Sequence, residues 1–188
     1  MKGLYRIPDG RTVRVAVSGK SGCGNTTVSA LLARALGVTL VNYTFRSLAG
    51  ETGLSLAEIL KRARTDDSFD RTVDARQVEL AERDSCVLGS RLAIWVLKCA
   101  DLKVYLDADA ETRAARILHR EGGVFADIRA FTLKRDAEDS ARYKKLYRID
   151  TGDYAFADMV VDAAAAEPEQ IVLSILEELA RRNLAAPA

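Results

Sequence analysis

The segment that most constrains the fold is VRVAVSGKSGCGNTTVSALLARALG, which runs from Val13 to Gly37. It begins with a β-branched, apolar run that leads directly into a glycine-rich loop, and this run predicts a buried strand over 13–19. Apolar side chains then recur at helical spacing from Val28 to Leu36, and Gly37 is typical of the residue that ends a helix. A strand, a glycine loop and a helix in this order begin a parallel α/β sheet, so the sequence predicts that fold class.

The glycine loop has the spacing of the phosphate-binding pattern G-x-x-x-x-G-K-[ST], with Gly19 and Gly24 as its two glycines. Glycine permits left-handed turns, so that backbone N–H groups approach an anion closely at the helix N-terminus. Thr26 stands where a hydroxyl group ligates Mg²⁺. The alternative is a glycine-rich turn without a ligand, but the strand before the loop and the helix after it favour phosphate binding. The residues predicted to bind phosphate are Gly19, Ser21, Gly22, Cys23, Gly24, Asn25, Thr26 and Thr27.

Asn25 occupies the lysine position of this pattern, so the loop lacks its usual cation. The amide of Asn25 donates hydrogen bonds but carries no charge. Lys20, one residue after the first glycine, has the reach to fold over the loop toward the β- and γ-phosphates of a nucleotide. The alternative is that Lys20 points into solvent. Cys23 is interpreted as a small residue that the loop tolerates rather than as a nucleophile.

Four further apolar runs predict strands, with helices between them. The runs are VTLVN (38–42), SCVLGS (85–90), LKVYLDA (102–108) and DMVVDA (158–163). The last three are continuous rather than alternating, which is typical of strands that are covered on both faces. Helices are predicted to begin near Ser55 and Pro168 and to span 69–83, 109–121 and 125–147, and the tail NLAAPA is expected to be disordered. Five strands with intervening helices predict one doubly wound α/β domain, in which the polar helices act as lids.

Arginines cluster after the predicted strand ends, where a doubly wound sheet binds its ligands. Phosphoryl transfer between two nucleotides brings several negative charges into one cleft, and arginine is well suited to neutralise them. For one cluster alone, an ion-paired helix face in solvent is the better interpretation, but the repetition of clusters favours a phosphate cleft. The clusters contain Arg46; Asp70, Arg71, Asp74, Arg76 and Gln77; Arg91; Arg116 and Arg120; and Arg135, Asp139 and Arg142.

The composition of the chain argues against several other classes of protein. A formal net charge of +1 in 188 residues does not suit a general binder of nucleic acids or membranes, so a cationic site must come from local clustering. Three cysteines without paired spacing predict no disulfide framework. No apolar run approaches the roughly 18 residues of a membrane span. These features predict a soluble, cytoplasmic protein.

Six segments follow one family in both order and spacing: SGKSGCGNTTVS, TFRSLAGETGLSL, FDRTVDARQVELAE, SRLAIWVLKCADLKVYLDA, TRAARILHRE and RDAEDSARYKKLYRID. In these segments the chain resembles the cytidylate (CMP) kinases, in the short form of archaea and some bacteria, among the nucleoside monophosphate kinases. The resemblance covers nearly the whole length. It implies a three-layer α/β/α P-loop kinase fold with a five-stranded parallel sheet, in a single domain over 1–188. Helical acceptor-nucleotide and lid regions are implied at about 43–84 and about 116–148.

The resemblance also implies a reaction, in which the γ-phosphoryl group of ATP is transferred to CMP or dCMP, with ATP and Mg²⁺ as cofactors. Such kinases act mainly by positioning and charge, so no dedicated general base is expected, and His119 is interpreted as a surface residue. The candidate catalytic cations are Lys20 and the lid arginines Arg116, Arg120, Arg135 and Arg142. The candidate acceptor-binding residues are Arg46, Asp74, Arg76, Gln77, Arg91 and Asp139.

The sequence departs from the family pattern in two places. Asn25 replaces the loop lysine, which short-form members of the family sometimes lack, and Gly89-Ser90-Arg91 stands where the family often has Glu-Gly-Arg. Asp107 is a candidate replacement for the missing carboxylate. These departures motivate an alternative function, a catalytically weakened nucleotide-binding regulatory module on the same fold.

A further alternative is a nucleoside or shikimate-type kinase of small molecules on the same fold. For the kinase, the expected partners are small-molecule nucleotides rather than nucleic acid polymers or membranes, and the expected oligomeric state is a monomer.

Overall fold

The computed structural model describes residues 3–188. Its strands are β1 (Tyr5–Arg6), β2 (Arg14–Gly19), β3 (Thr39–Val41), β4 (Cys86–Gly89), β5 (Leu102–Asp107), β6 (Met159–Asp162) and β7 (Ala186–Pro187). Its helices are α1 (Asn25–Leu36), α2 (Phe45–Thr52), α3 (Leu56–Arg62), α4 (Ser68–Glu82), α5 (Ala93–Val96), α6 (Ala110–Glu121), α7 (Phe125–Tyr147) and α8 (Pro168–Arg181). Strands β2 to β6 lie within the five apolar runs of the sequence.

Strands β2 to β6 form one parallel sheet in the order β3-β4-β2-β5-β6. Val17 of the central strand β2 pairs with Gly89 of β4 on one side and with Val104 of β5 on the other. This register brings the carboxyl ends of neighbouring strands to one edge of the sheet, where α/β proteins bind ligands. The predicted α/β fold class is confirmed.

Helices cover both faces of the sheet, and each face has its own apolar core. Val15 and Val17 of β2 belong to the core under α1 and α8, whereas Ala16 belongs to the core on the opposite face, with α4, α5 and α7. All three residues are 0% exposed. The continuous apolar runs in the sequence reflect this burial on both faces.

Helices α2, α3 and α4 pack around a third and smaller apolar cluster beside the sheet. Thr44 caps α2 and Ser55 caps α3, since each side chain accepts a hydrogen bond from a backbone N–H in the first turn. The polar segment after β3 therefore forms a helical unit with a core of its own. The buried members of that core are Tyr43, Leu48, Ile59 and Val73.

Two expectations about the C-terminal part of the chain are wrong. The tail NLAAPA is ordered: Leu184 and Ala185 are buried in the core under α1 and α8, and β7 pairs antiparallel with β1. Burial of these apolar side chains favours the ordered tail. Strand β6 is one of the two edge strands of the sheet, so it is covered less than a central strand, and Val160 is 53% exposed.

Across residues 3–188, no helix has both the length and the apolar character that a membrane crossing requires.

Candidate active site

A cleft of about 740 Å³ opens at the carboxyl ends of β2, β3 and β4, beside the N-terminus of α1. Its volume is in the range of small-molecule binding sites. Arg46, Arg76 and Asp139 are not part of its lining. The cleft nevertheless brings most of the predicted site residues together. These are the loop from Gly19 to Thr27 with Lys20, and Asp74, Gln77, Arg91, Arg116, Arg120, Arg135 and Arg142.

The backbone of the loop requires glycine at its turns. Gly22 and Gly24 have φ angles of 88° and 90°, in the left-handed region that favours glycine. A Cβ atom on Gly22 would lie 2.8 Å from the carbonyl oxygen of Arg113. Gly24 is the N-cap of α1, so the free N–H groups of the first helical turn lie at the cleft. This arrangement can bind a phosphate group.

Asn25 is held in place by the helix that it begins. Its Oδ1 atom accepts a hydrogen bond from Ser29 Oγ, 3.0 Å away, and Ser29 is 1% exposed. Ser29 in turn packs against Gly89 of β4, where a Cβ atom would lie 2.6 Å from Ser29 Oγ. Because Oδ1 already has a partner, the amide N–H groups of Asn25 are the atoms available to a phosphate. Asn25 thus offers neutral donors in place of a cation.

Lys20 is partly buried rather than fully exposed to solvent. It lines the cleft and also a smaller neighbouring cavity, which Asp136 and Asp139 line as well. Among residues 3–188 no carboxylate forms an ion pair with its ammonium group within 4.0 Å. Lys20 therefore lies in the lining of both cavities, within the loop.

Cys23 packs inside the loop as a small apolar residue. It is 2% exposed, and burial raises the pKa of the Cys23 thiol to about 11, although the charge of Arg113 acts in the opposite direction. At neutral pH the thiol is protonated, so it is a poor nucleophile. This agrees with the interpretation of Cys23 from the sequence.

Asp139 connects two of the arginines that line the cleft. Its carboxylate forms ion pairs with Arg91, which follows β4, and with Arg142 of α7 at 2.7 Å. Arg142 also lies 3.5 Å from Asp70 of α4. Burial lowers the pKa of Arg91, but an arginine in a protein stays charged at neutral pH. Asp139 is thus outside the lining of the cleft, but its carboxylate holds both guanidinium groups beside the cleft.

Three further arginines reach the cleft from helices α6 and α7. Arg116 donates a hydrogen bond from Nη2 to the carbonyl oxygen of Ala163, 2.6 Å away. Arg120 pairs with Glu121 at 2.5 Å and is 66% exposed, and Arg135 is exposed as well. Arg120 and Arg135 are therefore exposed, whereas Arg116 is partly buried and bonded to the backbone.

The predicted acceptor-binding residues of α2 and α4 differ in their position. Asp74 accepts a hydrogen bond from the Tyr147 hydroxyl at 2.7 Å, and Gln77 donates from Nε2 to the carbonyl oxygen of Tyr43 at 2.7 Å. Both line the cleft. Arg76 pairs with Glu79 at 2.6 Å outside the lining, and Arg46 is exposed on α2.

Arg113 was not among the predicted site residues, although its guanidinium group bonds directly to the phosphate loop. Its side chain is 3% exposed and donates hydrogen bonds to the carbonyl oxygens of Ala108 and Ser21 and to the carboxylate of Asp136. A signal was present in the sequence, because Arg113 lies four residues before Ile117, on the apolar stripe of α6.

We expect the substitution Asp74→Asn to stabilise the protein at pH 7. Burial raises the pKa of the Asp74 carboxyl, and the charge of Asp70 acts in the same direction, whereas the hydrogen bond from Tyr147 lowers it. Ionisation of Asp74 therefore opposes folding above its folded-state pKa, and this cost disappears as the pH falls below the unfolded value of about 3.9. Thermal unfolding at pH 7 and pH 4 measures the effect.

The midpoint of Asp74→Asn should exceed that of the wild type at pH 7, and the two should converge toward pH 4. Asp9→Asn, at an exposed position, is the matched control and should change little at either pH. A variant that is less stable than the wild type at pH 7 would show that the ionised carboxylate stabilises the fold.

A phosphate loop after the central strand of a parallel sheet, facing arginines from helices α6 and α7, defines a P-loop phosphotransferase. A family model described as the cytidylate kinase-like family matches residues 14–165. The chain belongs to this family.

Curated relatives extend the match to nearly the whole chain. The cytidylate kinase 2 of Borreliella afzelii (strain PKo) is 42% identical over 176 residues, which cover 92% of this chain and 99% of the relative. The cytidylate kinase of Pyrococcus abyssi is 38% identical over 167 residues, 88% of this chain and 92% of the relative. The shikimate kinase of Bacteroides thetaiotaomicron, a solved structure, matches with a TM-score of 0.63 at 18% identity, over 90% of this chain and 99% of that one. This last likeness shows the P-loop kinase fold.

Proposed function

We propose that the protein is an ATP-dependent cytidylate kinase, which converts ATP and CMP or dCMP into ADP and CDP or dCDP. The observation that carries this proposal is the single cleft in which the phosphate loop meets the arginines of α6, α7 and the end of β4. The names of the relatives support a cytidylate as the acceptor. Neither the family match nor these relatives support a regulatory module without activity.

The residues of the cleft suit a reaction whose barrier is lowered mainly by positioning of the substrates and by neutralisation of phosphate charge. The transferring phosphoryl group carries charge on its equatorial oxygens, and fixed cations around it lower the barrier. In our proposal the loop N–H groups hold the phosphates of ATP, and Lys20 supplies the charge that Asn25 lacks. Arg116, Arg120 and Arg135 close over the phosphates when the lid closes.

The residues around the loop fit a Mg²⁺ ion that is bound together with nucleotide. Thr26 is exposed in the first turn of α1 and lines the cleft, so its hydroxyl group is available as a ligand. Across residues 3–188 no group of three or more Asp, Glu, His or Cys side chains converges into a site of its own. A site with the Thr26 hydroxyl group as its protein ligand suits Mg²⁺, which keeps several waters and binds substrate phosphates. When bound, the ion would neutralise phosphate charge.

On the acceptor side, we propose that Arg91 binds the phosphate of the monophosphate, while Arg142 beside it stabilises the transferring phosphoryl group. Asp139 already holds both guanidinium groups beside the cleft, so we infer that it acts through them. Asp74 and Gln77 line the part of the cleft nearest α4, where the nucleoside would lie. Arg46 and Arg76 would contact the acceptor only if the helical unit of α2, α3 and α4 moved inward.

A panel of acceptors tests the proposed function. With Mg²⁺ and ATP present, we expect CMP and dCMP to be phosphorylated well above AMP, UMP and GMP. Shikimate and nucleosides belong in the same panel, because other kinases of small molecules share the fold. Faster turnover of any of these than of CMP would contradict the assigned acceptor.

We expect Lys20→Ala to lower kcat/KM for the forward reaction at least tenfold, or about 1.4 kcal/mol of transition-state stabilisation. The reason is that, among residues 3–188, Lys20 is the one lysine in the lining of the cleft. Steady-state kinetics with saturating CMP measure the effect. Lys98→Ala, which removes an exposed lysine outside the cleft, is the control. Equal activity of wild type and Lys20→Ala would show that the charge comes from the arginines alone.

We also propose the setting in which the enzyme works. Cys23, Cys86 and Cys99 are free thiols in this structure, which suits the reducing cytoplasm. The protein would act as a monomer and as a single domain, with the acceptor-nucleotide region at about 43–84 and the lid at about 116–148. Its partners would be small-molecule nucleotides.

A further inference from the structure

Arg113 is a buried cation that no step of the proposed reaction uses. It lies in the first turns of α6, and its side chain is 3% exposed, in contrast to the accessible arginines of the lid. A buried guanidinium group is costly unless its donors are satisfied by well-placed acceptors. The hydrogen-bond partners of Arg113 therefore indicate which parts of the molecule its buried guanidinium group connects.

Three different parts of the molecule accept hydrogen bonds from this guanidinium group. Nε donates to the carbonyl oxygen of Ala108 at 3.1 Å, just after β5. Nη1 donates to the carbonyl oxygen of Ser21 in the phosphate loop at 3.0 Å. Nη2 donates to Oδ2 of Asp136 in α7 at 2.7 Å, and this aspartate is 14% exposed. Arg113 thus joins the sheet, the loop and a lid helix.

The bond to Ser21 fixes the orientation of a peptide group within the loop. A phosphate loop binds its anion only if N–H groups point inward and carbonyl oxygens point away, because a carbonyl oxygen facing a phosphate repels it. A charge-assisted bond holds the Ser21 carbonyl oxygen on the Arg113 side. The next residue, Gly22, lies so close to the Arg113 backbone that a Cβ atom would be 2.9 Å from Arg113 Cβ.

The bond to Asp136 reaches the helix that carries the cations of the lid. Arg135 is the neighbouring residue in the sequence and lines the cleft. Asp139, less than one turn further along α7, pairs with Arg91 and Arg142. The position of α7 relative to the loop therefore depends in part on the ion pair between Arg113 and Asp136.

We propose that Arg113 is a positioning residue that sets the phosphate loop through the Ser21 carbonyl group and sets the lid helix α7 through Asp136. The two bonds have separable consequences. The bond to Ser21 controls the affinity for ATP, and the bond to Asp136 controls the rate of transfer. This inference rests on the proposed kinase function for the rate, but its affinity part concerns ATP binding alone.

Two substitutions separate the two bonds. Arg113→Lys keeps a cation but cannot reach three acceptors in a fixed fork, so we expect the Kd for Mg·ATP in calorimetry to rise about tenfold. Asp136→Asn leaves the loop bond in place, so we expect its Kd to stay within about twofold while kcat with CMP falls about tenfold. Glu111→Gln is the matched control, because it breaks an exposed ion pair with Arg129 between the same two helices.

The outcomes decide between a positioning role and a purely structural one. A folded Arg113→Lys variant that binds Mg·ATP like the wild type overturns the inference. If Arg113→Lys does not fold, Asp136→Asn decides: an unchanged kcat, or equal losses in kcat and ATP affinity, overturns it. A wild type that binds Mg·ATP but phosphorylates no monophosphate would refute the proposed function, while the expected loss of affinity in Arg113→Lys would still support the loop contact.

Discussion

Replacing Gly22 with alanine should weaken the binding of Mg·ATP about a hundredfold, or about 2.8 kcal/mol. Two independent features of the site require glycine here. The φ angle of 88° strains any other residue, and the new methyl group would lie 2.8 Å from the Arg113 carbonyl oxygen and 2.9 Å from Arg113 Cβ. Helix α6 cannot shift without losing its own packing, so the loop must move instead. Its N–H groups then no longer point at one bound anion. Calorimetric titration with Mg·ATP measures the loss.

Two other glycines with positive φ provide graded controls for this experiment. Gly24 has a φ of 90° within the loop and Gly10 has a φ of 73° before β2, outside the loop, and a Cβ atom on either would meet nothing within 4 Å. Gly24→Ala should therefore show only the cost of backbone strain, and Gly10→Ala should bind ATP like the wild type. If Gly22→Ala binds no worse than Gly24→Ala, the close contact with α6 does not shape the loop.

Replacing Arg142 with methionine should lower kcat about a thousandfold, the lower end of the range for arginines that stabilise phosphoryl transfer. Arg142 lines the cleft and lies between Asp139 at 2.7 Å and Asp70 at 3.5 Å. Without its charge, the acceptor phosphate would approach two carboxylates with one cation fewer. Single-turnover kinetics separate this loss from changes in product release.

Lys145→Met is the matched control for Arg142→Met. Lys145 follows on the same helix, pairs with Asp67 at 2.6 Å and is 70% exposed, so it contributes a similar ion pair outside the cleft. Its replacement should change kcat less than about threefold, since exposed ion pairs contribute little. A kcat for Arg142→Met close to that of this control would remove Arg142 from the reaction.

Local patterns in the sequence were sufficient to predict the main strands and helices of the fold and the phosphate loop. Strands β2, β4 and β5 are largely buried on both faces, and helix α7 spans the same residues, 125–147, as its polar pattern predicts. Glycine spacing located the phosphate loop because its turns need positive φ at fixed positions. Such features depend on neighbouring residues, which a single sequence displays directly.

The features that the sequence did not reveal depend on contacts between distant residues. Arg113 meets Ser21 across 92 positions, and Arg91 meets Asp139 across 48. The spacing of arginines identified cations near the cleft, but it could not separate Arg113, which is buried, from Arg120, which is 66% exposed. The ordered C-terminal tail was missed for the same reason, because β7 finds its partner at the opposite end of the chain.

The absence of the loop lysine does not leave the cleft without positive charge. Asn25 supplies oriented N–H donors, and Lys20 with the arginines of α6, α7 and the end of β4 surrounds the same space. Charge from several side chains can replace a single lysine if all of them are held in position. In this protein Asp139 holds two of them, and Arg113 connects the loop to helix α7.

The most direct test is to follow both products of one reaction, by separating nucleotides after wild-type protein is incubated with Mg²⁺, ATP and CMP. We expect CDP and ADP to form in equal amounts, many turnovers per enzyme molecule, and no ADP to form when CMP is omitted. ATP that is bound but not consumed, or ADP that appears without CDP, would contradict a cytidylate kinase that works without the loop lysine.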